Sequence, residues 1–269
     1  MSDLVLVPIG VAVGLVGALI GVGGGFFVVP FLLRVWKPGT FTPETATASS
    51  LGIVLVSALS GTWANARRKR IDVRMGLVLA AGTLPGAWVG RRLHQILSDR
   101  AFAWSFAALL TAVALYLVLV KLKPGKGLLR GTSRELVDSD GQAHRYELNA
   151  AAGVISGTLV GVVSSLFGVG GGLILVPFMV VAYGAPTVVA TATSQFAFIF
   201  TSLVGLGVSL IDGHLTPEGW KVVGLMGLGV ALGAQIGVAI AKKVPERVVR
   251  GILAAVIVGV AVSMVRKGG

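Results

Sequence analysis

The sequence has no cysteine and little charge of either sign. The lack of cysteine among 269 residues excludes disulfides, thiolate metal ligands and thiol chemistry. Charged residues make up 13% of the chain and hydrophobic residues 55%, and the mean hydropathy is +0.89. Soluble domains carry about 25% charged residues, so this composition predicts an integral membrane protein with several spans.

Acidic residues are missing from the interiors of eight apolar stretches, which reach or approach the ~20 residues of a spanning helix. Proton relays usually need an ionisable group at that depth. A proton-coupled carrier is therefore disfavoured, and Glu44 and His94, both near helix ends, are the nearest candidates for such a group. The stretches are 4–20, 46–63, 73–89, 101–120, 148–167, 188–211, 220–241 and 248–265.

The sequence also lacks the patterns of enzymes and of nucleic-acid-binding proteins. It has no His, Asp and Glu set with metal-ligand spacing and no nucleophile elbow, so neither an enzyme nor a metal or other cofactor is predicted. The net charge is +12, but short segments between apolar stretches hold the Lys and Arg residues, which does not indicate nucleic-acid binding. Asp3 and the lack of a basic N-terminal region predict that no signal peptide is cleaved.

The chain is predicted to be an internal duplication. Residues 18–31 read ALIGVGGGFFVVPF and residues 165–178 read SLFGVGGGLILVPF, with nine of fourteen positions identical. Further matches follow in the same order. They pair ATASS at 46–50 with ATATS at 190–194, and GAWVG at 86–90 with GAQIG at 233–237.

The duplication predicts an all-α membrane protein with two tandem repeats, at 1–120 and 148–269, joined by a polar cytoplasmic linker at 121–147. After each glycine motif, an apolar segment of eleven residues (26–36 and 173–183) would span about 16 Å, roughly half of a ~30 Å hydrocarbon core. Each repeat is thus predicted to hold a helix, a glycine break, a half-length helix and three full spans. This odd number of crossings would invert one repeat relative to the other. The charges of the loops do not discriminate between inverted and parallel repeats, because a parallel arrangement places almost as many basic residues on the cytoplasmic side.

The glycine motifs are the first candidate for a binding site. Gly21 to Gly25 and Gly168 to Gly172 each hold four glycines, although a helix interior disfavours glycine by ~1 kcal/mol. Such a run frees backbone N–H groups, and the half-helix that begins there turns its positive dipole end toward the membrane middle, which suits an anion. The alternative is that the glycines only allow close helix packing. The predicted substrate contacts are Gly23, Gly24, Gly25, Gly170, Gly171 and Gly172.

Hydroxyls near two helix starts are the second candidate. They lie within about two turns of segments that can face the glycine breaks, and could donate to an anion. Alternatively, they bond to carbonyls of their own helix or join neighbouring helices. The predicted substrate contacts are Ser49, Ser50, Thr193 and Ser194, followed by Thr47 and Thr191.

Two amides break the similarity between the repeats. Gln195 stands where the first repeat has Leu51, and Gln235 stands where it has Trp88. An amide in hydrocarbon is costly unless it is paired, so Gln195 is predicted to contact substrate, and Gln235 and Trp88 are weaker candidates. Asn65 is predicted to cap a helix end at the membrane interface.

The duplicated G-V-G-G-G-x-x-x-V-P-F element, the ATASS and ATATS runs and the G-A-x-x-G of the later helix resemble the TauE/SafE-type sulfite exporter family. The resemblance covers the whole chain except the linker. It implies a permease of the bacterial inner membrane for anions such as sulfite, sulfoacetate or other organosulfonates. Thiosulfate importers of the wider group use cysteines, which this chain lacks.

These features predict a carrier that exports a small sulfur-containing anion by alternating access at a midplane site between the repeats. An inside-negative potential favours anion export by ~2.3 kcal/mol per charge per 100 mV, so no coupling ion is required. The alternatives are a carrier or channel for another solute or a cation, and a membrane scaffold without transport. Besides the substrate and the lipid bilayer, a homo-oligomeric partner is left open.

Overall fold

The computed structural model describes residues 3–21, 23–119 and 127–241 and the single residues 244 and 251. The predicted last span, at 248–265, falls outside these residues apart from Gly251. In the described part, a 3-10 turn at Asp3–Val5 precedes nine α-helices and one β-hairpin. These are α1 Leu6–Ile20, α2 Gly25–Arg34, α3 Pro43–Ala66, α4 Val73–Ile96, α5 Asp99–Leu119, β1 Thr132–Val137, β2 Ala143–Leu148, α6 Ala150–Phe167, α7 Gly172–Tyr183, α8 Thr187–Ile211 and α9 Pro217–Ile240.

Five of the described helices, α3, α4, α6, α8 and α9, are long and apolar enough to cross a membrane. Helices α2 and α7, which follow the glycine motifs, have only 10 and 12 residues. Their length agrees with the predicted half-helices. Polar caps begin the long helices: the side chains of Thr42 and Thr216 accept N–H groups of the first turns of α3 and α9, and a proline follows each of them.

Glycines four residues apart form the largest helix contacts, which pair α4 with α6 and α1 with α9. A Cβ placed on Gly14 would overlap the backbone of Val230, and one on Gly86 would overlap the backbone of Thr158. The two backbones of each pair can approach this closely only because no side chain intervenes. The contacting glycines are Gly10 and Gly14 in α1, Gly82, Gly86 and Gly90 in α4, Gly157 and Gly161 in α6, and Gly229, Gly233 and Gly237 in α9.

The order of contacts gives the direction of each paired helix. Gly10 packs on Met226 and Gly14 on Val230, so α1 and α9 are parallel. By the same reasoning α4 is parallel to α6, because Gly86 packs on Thr158 and the later Gly90 packs on Val162.

Helix α3 packs against one helix that runs parallel to it and against another that runs antiparallel. It is parallel to α9, since Gly52 packs on Val223 and the Ser60 hydroxyl donates to the Ala231 carbonyl at 2.7 Å. It is antiparallel to α8, because Gly61 lies against Gln195 whereas the Leu51 side chain, ten residues earlier, lies against Gly205.

The linker contains a β-hairpin, so the all-α prediction is wrong in this segment. Strands β1 and β2 pair antiparallel, with Thr132 opposite Leu148 and Val137 opposite Ala143. The burial of β2 alternates strictly: His144, Tyr146 and Leu148 are buried and the residues before them are exposed. This period of two is the signature of a strand with one face packed on the protein.

The hairpin packs on the loop that joins α3 to α4. Arg134 of β1 donates to both carboxylate oxygens of Asp72, at 3.0 and 3.1 Å, and the Tyr146 hydroxyl donates to the same carboxylate at 2.6 Å. The Ser139 N–H donates to the Arg68 carbonyl at 3.0 Å. The hairpin is therefore attached to the first turn of α4.

Candidate functional site

The two glycine breaks are in direct contact. Gly21 ends α1 with φ 76° and Gly168 ends α6 with φ 66°, left-handed conformations that glycine adopts without strain. A Cβ placed on Gly25, the first residue of α2, would overlap the Gly168 carbonyl oxygen and come within 2.8 Å of the Val169 carbonyl group. Two segments that are far apart in the sequence thus form one junction, which we call the break junction.

Two serines hold the break junction together. Ser50 of α3 donates to the Gly168 carbonyl at 2.6 Å. The Ser194 hydroxyl of α8, which lies 2.9 Å from the Thr191 carbonyl of its own helix, also reaches the Gly21 carbonyl at 3.2 Å. Both donors were predicted to lie near the breaks. The contacts with Gly168 and Gly21 each join a long helix of one predicted repeat to the break of the other. The carbonyl oxygens that end α1 and α6 are thereby satisfied by protein groups.

Thr47 and Thr191 lie at the same junction, and their hydroxyls have no hydrogen-bond partner among the described residues. A Cβ on Gly168 would lie 3.0 Å from Thr47 Cγ2, and a Cβ on Gly21 would lie 2.8 Å from Thr191 Cγ2. Both threonines are buried, and both Oγ1 atoms are unpaired. A buried hydroxyl without a partner destabilises the fold by about 1–3 kcal/mol. One such group lies beside each break.

The half-helices begin at the junction without side-chain caps. Gly24 and Gly171 are the N-caps of α2 and α7, and neither receives a side-chain cap. The first N–H groups of a helix have no partner within it and carry the positive end of the dipole. Gly23 and Gly170 also have positive φ, 71° and 69°, in the turns that lead into Gly25 and Gly172. These donors can receive a negatively charged group.

Gln195 is buried and only half satisfied. Its Oε1 accepts from Asn65 Nδ2 at 3.0 Å, and its Nε2 donates to no described atom. Its side chain occupies the space left by Gly61, as the side chain of Leu51 does at Gly205. Asn65, which was predicted to cap a helix end at the membrane interface, is buried in the last turn of α3, and its Nδ2 also donates to the Gly61 carbonyl at 2.9 Å.

Four other predicted residues lie outside the junction or are engaged by the protein. The Ser49 hydroxyl donates to the Thr45 carbonyl at 2.8 Å, and Thr193 Oγ1 accepts the N–H of Asp72 at 3.1 Å. Trp88 is 53% exposed and has the Arg92 guanidinium over its ring. Gln235 is exposed and donates to Ser60 Oγ at 3.2 Å. We therefore leave Ser49, Trp88, Thr193 and Gln235 out of the candidate site.

Two serines at the end of α6 were not singled out from the sequence. Ser164 and Ser165 are buried, and both hydroxyls are unpaired. A Cβ placed on Gly205 would lie 2.8 Å from Ser165 Oγ. The signal was present, because two hydroxyls precede the break where the first repeat has Gly17 and Ala18.

Comparison with known proteins is consistent with this architecture. The family model described as sulfite exporter TauE/SafE matches residues 6–264. The chain is 32% identical to the probable membrane transporter protein YunE of Bacillus subtilis over 220 residues, 80% of this chain and 81% of that protein. It is 27% identical to a probable membrane transporter protein of Xylella fastidiosa over 235 residues, covering 85% and 83% of the two chains.

A relative outside the bacteria also matches. The probable membrane transporter protein MJ0441 of Methanocaldococcus jannaschii is 26% identical over 204 residues, which cover 75% of this chain and 70% of that protein. No solved structure matches this chain. The match over nearly the whole length, together with the membrane-spanning helices, shows that the chain belongs to the TauE/SafE sulfite exporter family and is a multi-pass membrane transporter.

Proposed function

We propose that this transporter exports a small sulfur-containing oxyanion, such as sulfite, sulfoacetate or another organosulfonate, through the break junction. The observation that carries the proposal is the meeting of two glycine breaks with two buried, unpaired threonine hydroxyls. Backbone N–H groups of α2 and α7 and the hydroxyls of Thr47 and Thr191 supply donors from both sides. An oxyanion with several acceptor oxygens can use donors that converge in this way.

A cation held by backbone carbonyls is the rival for this junction, and the hydrogen bonds disfavour it. The carbonyls that end α1 and α6, at Gly21 and Gly168, already accept the hydroxyls of Ser194 and Ser50. Beside the breaks, the described side-chain groups without partners are the hydroxyls of Thr47 and Thr191, which can donate or accept, and the Gln195 amide N–H₂, which can only donate. The positive dipole ends of α2 and α7 and this N–H₂ group would repel a cation.

The contacts between helices support an inverted arrangement of the two repeats. Helices α1, α3 and α9 run in one direction. Helix α4 is parallel to α8, since Asp72 pairs with Thr193 and Gly76 packs on Phe196, and α8 is antiparallel to α3. Each of α1, α3 and α4 then runs opposite to its counterpart, α6, α8 or α9. Inverted repeats around a midplane site are a common basis for alternating access.

Direction and location follow from the electrostatics of a cell membrane. With the basic α3–α4 loop and the hairpin on the cytoplasmic side, the positive-inside rule is satisfied. The inside-negative potential of a bacterial inner membrane then favours outward movement of an anion. We infer export across that membrane without an obligatory coupling ion.

The test is the thermal stability of the purified protein against a panel of anions. A ligand that binds only the folded state stabilises it by RT ln(1 + [L]/Kd), about 2.7 kcal/mol at a hundred times Kd. We expect sulfite or an organosulfonate to raise the melting temperature more than chloride or a carboxylate of equal charge does. Stabilisation by sodium or by a neutral solute, with no response to any anion, would overturn the proposal.

A further inference from the structure

Arg91 of α4 is fully buried and has free donors. Its relative exposure is 0%, and its Nε and Nη1 atoms have no hydrogen-bond partner among the described residues. Only Nη2 is engaged: it lies 3.4 Å from the Glu44 carbonyl oxygen and 3.2 Å from His214 Nδ1. The ion pairs of the described part of the chain do not include Arg91.

The buried Arg91 guanidinium interacts electrostatically with the carboxylates of Glu44 and Asp212, but among the described residues neither lies within ion-pair distance of it, which calls for an explanation. Arginine stays charged in proteins, and an ion removed from water destabilises the fold by several kcal/mol unless it is paired. The adjacent Arg92 has neither problem: its side chain is 48% exposed and lies 3.4 Å from Asp212. Solvent and a carboxylate satisfy the charge of Arg92, whereas no carboxylate of the described residues forms an ion pair with Arg91.

Arg91 lies beside the break that ends α6. His94, one turn further along α4, is buried, and its Nδ1 lies 2.6 Å from the carbonyl oxygen of Leu166, two residues before Gly168. On the other side, Glu44 is one turn before Thr47, which packs on Gly168. Arg91 therefore lies about one helical turn, along α4 and along α3, from residues that contact this break.

Among the described residues, the matching position beside the other break is not a cation. In the matching segments GAWVG at 86–90 and GAQIG at 233–237, the next residues are Arg91 and Val238. Val238 is buried in an apolar cluster with Ala18, Ala64 and Ala234. The two breaks are thus alike in backbone and different in charge.

We propose that Arg91 is a binding residue for the transported anion, and that it pairs with the anion beside the Gly168 break. This inference rests on the proposed anion transport. It adds a positively charged side chain that selects for anions on the Gly168 side of the break junction. Helix α4 begins at the hairpin and ends at Ile96, so Arg91 lies toward the end of the bundle that is opposite the hairpin. For an exporter, the anion meets Arg91 after it has left the cytoplasmic side.

The test compares Arg91→Gln with the matched control Arg92→Gln, purified in a neutral detergent without anionic lipid. The affinity for sulfite is measured by isothermal titration. We expect the affinity of Arg91→Gln to be roughly tenfold or more below that of the wild type, since hydrogen bonds to charged groups contribute about 1.5–3 kcal/mol. Arg92→Gln should bind as the wild type does. Arg91→Lys keeps the charge but has fewer donors in a different geometry, and should show a smaller loss.

Each outcome separates this inference from the proposed function. If the wild type binds no anion, the proposed function fails. If the wild type binds sulfite and Arg91→Gln binds it equally well, only the role of Arg91 is overturned. If Arg91→Gln does not fold, Arg91→Lys decides, and unchanged affinity in that variant overturns the inference. Stabilisation by added phosphatidylglycerol, lost in the Arg91 variants and without any response to free anions, would assign the guanidinium to a lipid headgroup instead.

Discussion

At the scale of residues, the break junction divides its hydroxyls into two kinds. Ser50 and Ser194 reach carbonyls of the opposite break, Ser194 while also bonding to the Thr191 carbonyl of its own helix, whereas Thr47 and Thr191 have no partner among the described residues. All four positions could be predicted from the sequence, because they recur in matching runs near a helix start. Which hydroxyl bonds to backbone and which stays free could not be predicted, since that depends on distances of a few tenths of an ångström between segments more than a hundred residues apart.

The unpaired threonines lead to a prediction in which the affinity for the anion falls while the free energy of unfolding is kept or rises. In Thr47→Val or Thr191→Val, a buried hydroxyl without a partner is lost, so we expect the free energy of unfolding to stay equal or to rise by about 1 kcal/mol. The affinity for the anion should fall several-fold. Thermal unfolding and sulfite titration measure the two effects.

The control is Thr201→Val, in the same helix as Thr191. Thr201 is equally buried, but its hydroxyl donates to the Ala197 carbonyl of its own helix at 3.4 Å. Its removal should leave the affinity unchanged. Sulfite affinity at the wild-type level in both Thr47→Val and Thr191→Val would contradict the assignment of these hydroxyls to the substrate.

At the scale of elements, glycine has two different roles in this chain. In the breaks it allows left-handed turns, and in α1, α4, α6 and α9 it allows helices to touch through their backbones. Pro43 and Pro217 begin α3 and α9 directly after a threonine N-cap, a local signal, because the proline and the cap act within one helical turn. The helix partners could not be predicted, although the spacing of four between Gly229, Gly233 and Gly237 was visible, because many glycine-faced helices are compatible with one another.

Two glycines of α9 provide a matched test of helix packing. A Cβ on Gly233 would overlap the Val11 carbonyl and lie 2.8 Å from the Leu15 nitrogen, whereas a Cβ on Gly224 meets nothing within 4 Å. Gly233→Ala should therefore destabilise the protein by about 1–3 kcal/mol through overpacking. Gly224→Ala should be neutral or stabilise it by up to about 1 kcal/mol, the helix-propensity gain. Thermal unfolding of both variants measures the difference. Equal melting temperatures for the two variants would show that α1 and α9 are not tightly packed at Gly233.

At the scale of the whole molecule, α4 packs against α6 and α1 against α9, and a hairpin attaches to one end of the bundle. The duplication and the membrane class follow from the sequence, because composition and repetition are global properties. The sequence did not predict the hairpin, since its only sign is three residues of β2 that alternate with exposed ones. Its attachment also depends on Asp72, a residue more than fifty positions from the strands.

The attachment of the hairpin predicts a pH dependence. Burial alone would raise the pKa of Asp72, but hydrogen bonds from Arg134 and Tyr146 and the Met75 N–H outweigh burial and hold its pKa below the ordinary value. A carboxyl with a lowered pKa in the folded state stabilises the fold above its unfolded pKa, about 3.9, and loses that contribution as the pH falls through the folded value. Asp72→Asn keeps a good N-cap and removes the charge.

We expect Asp72→Asn to melt at a lower temperature than the wild type at pH 7, with a gap that narrows as the pH falls below about 4. Glu135→Gln is the control on the same hairpin. Its carboxylate is 47% exposed and pairs with an Arg145 side chain that is 79% exposed, so its loss should change the melting temperature little. A gap that does not change with pH would show that the charge of Asp72 does not hold the hairpin.

The central claim is that the break junction carries an anion across the membrane, and flux from liposomes tests it most directly. Vesicles loaded with sulfite are held at an inside-negative potential, and release is followed for the wild type, for the double variant Thr47→Val and Thr191→Val, and for protein-free vesicles. The account predicts release by the wild type that saturates with concentration and grows with the potential, and release by the double variant that is several-fold slower. Release by the wild type at the rate of protein-free vesicles, or at the same rate as the double variant, would contradict it.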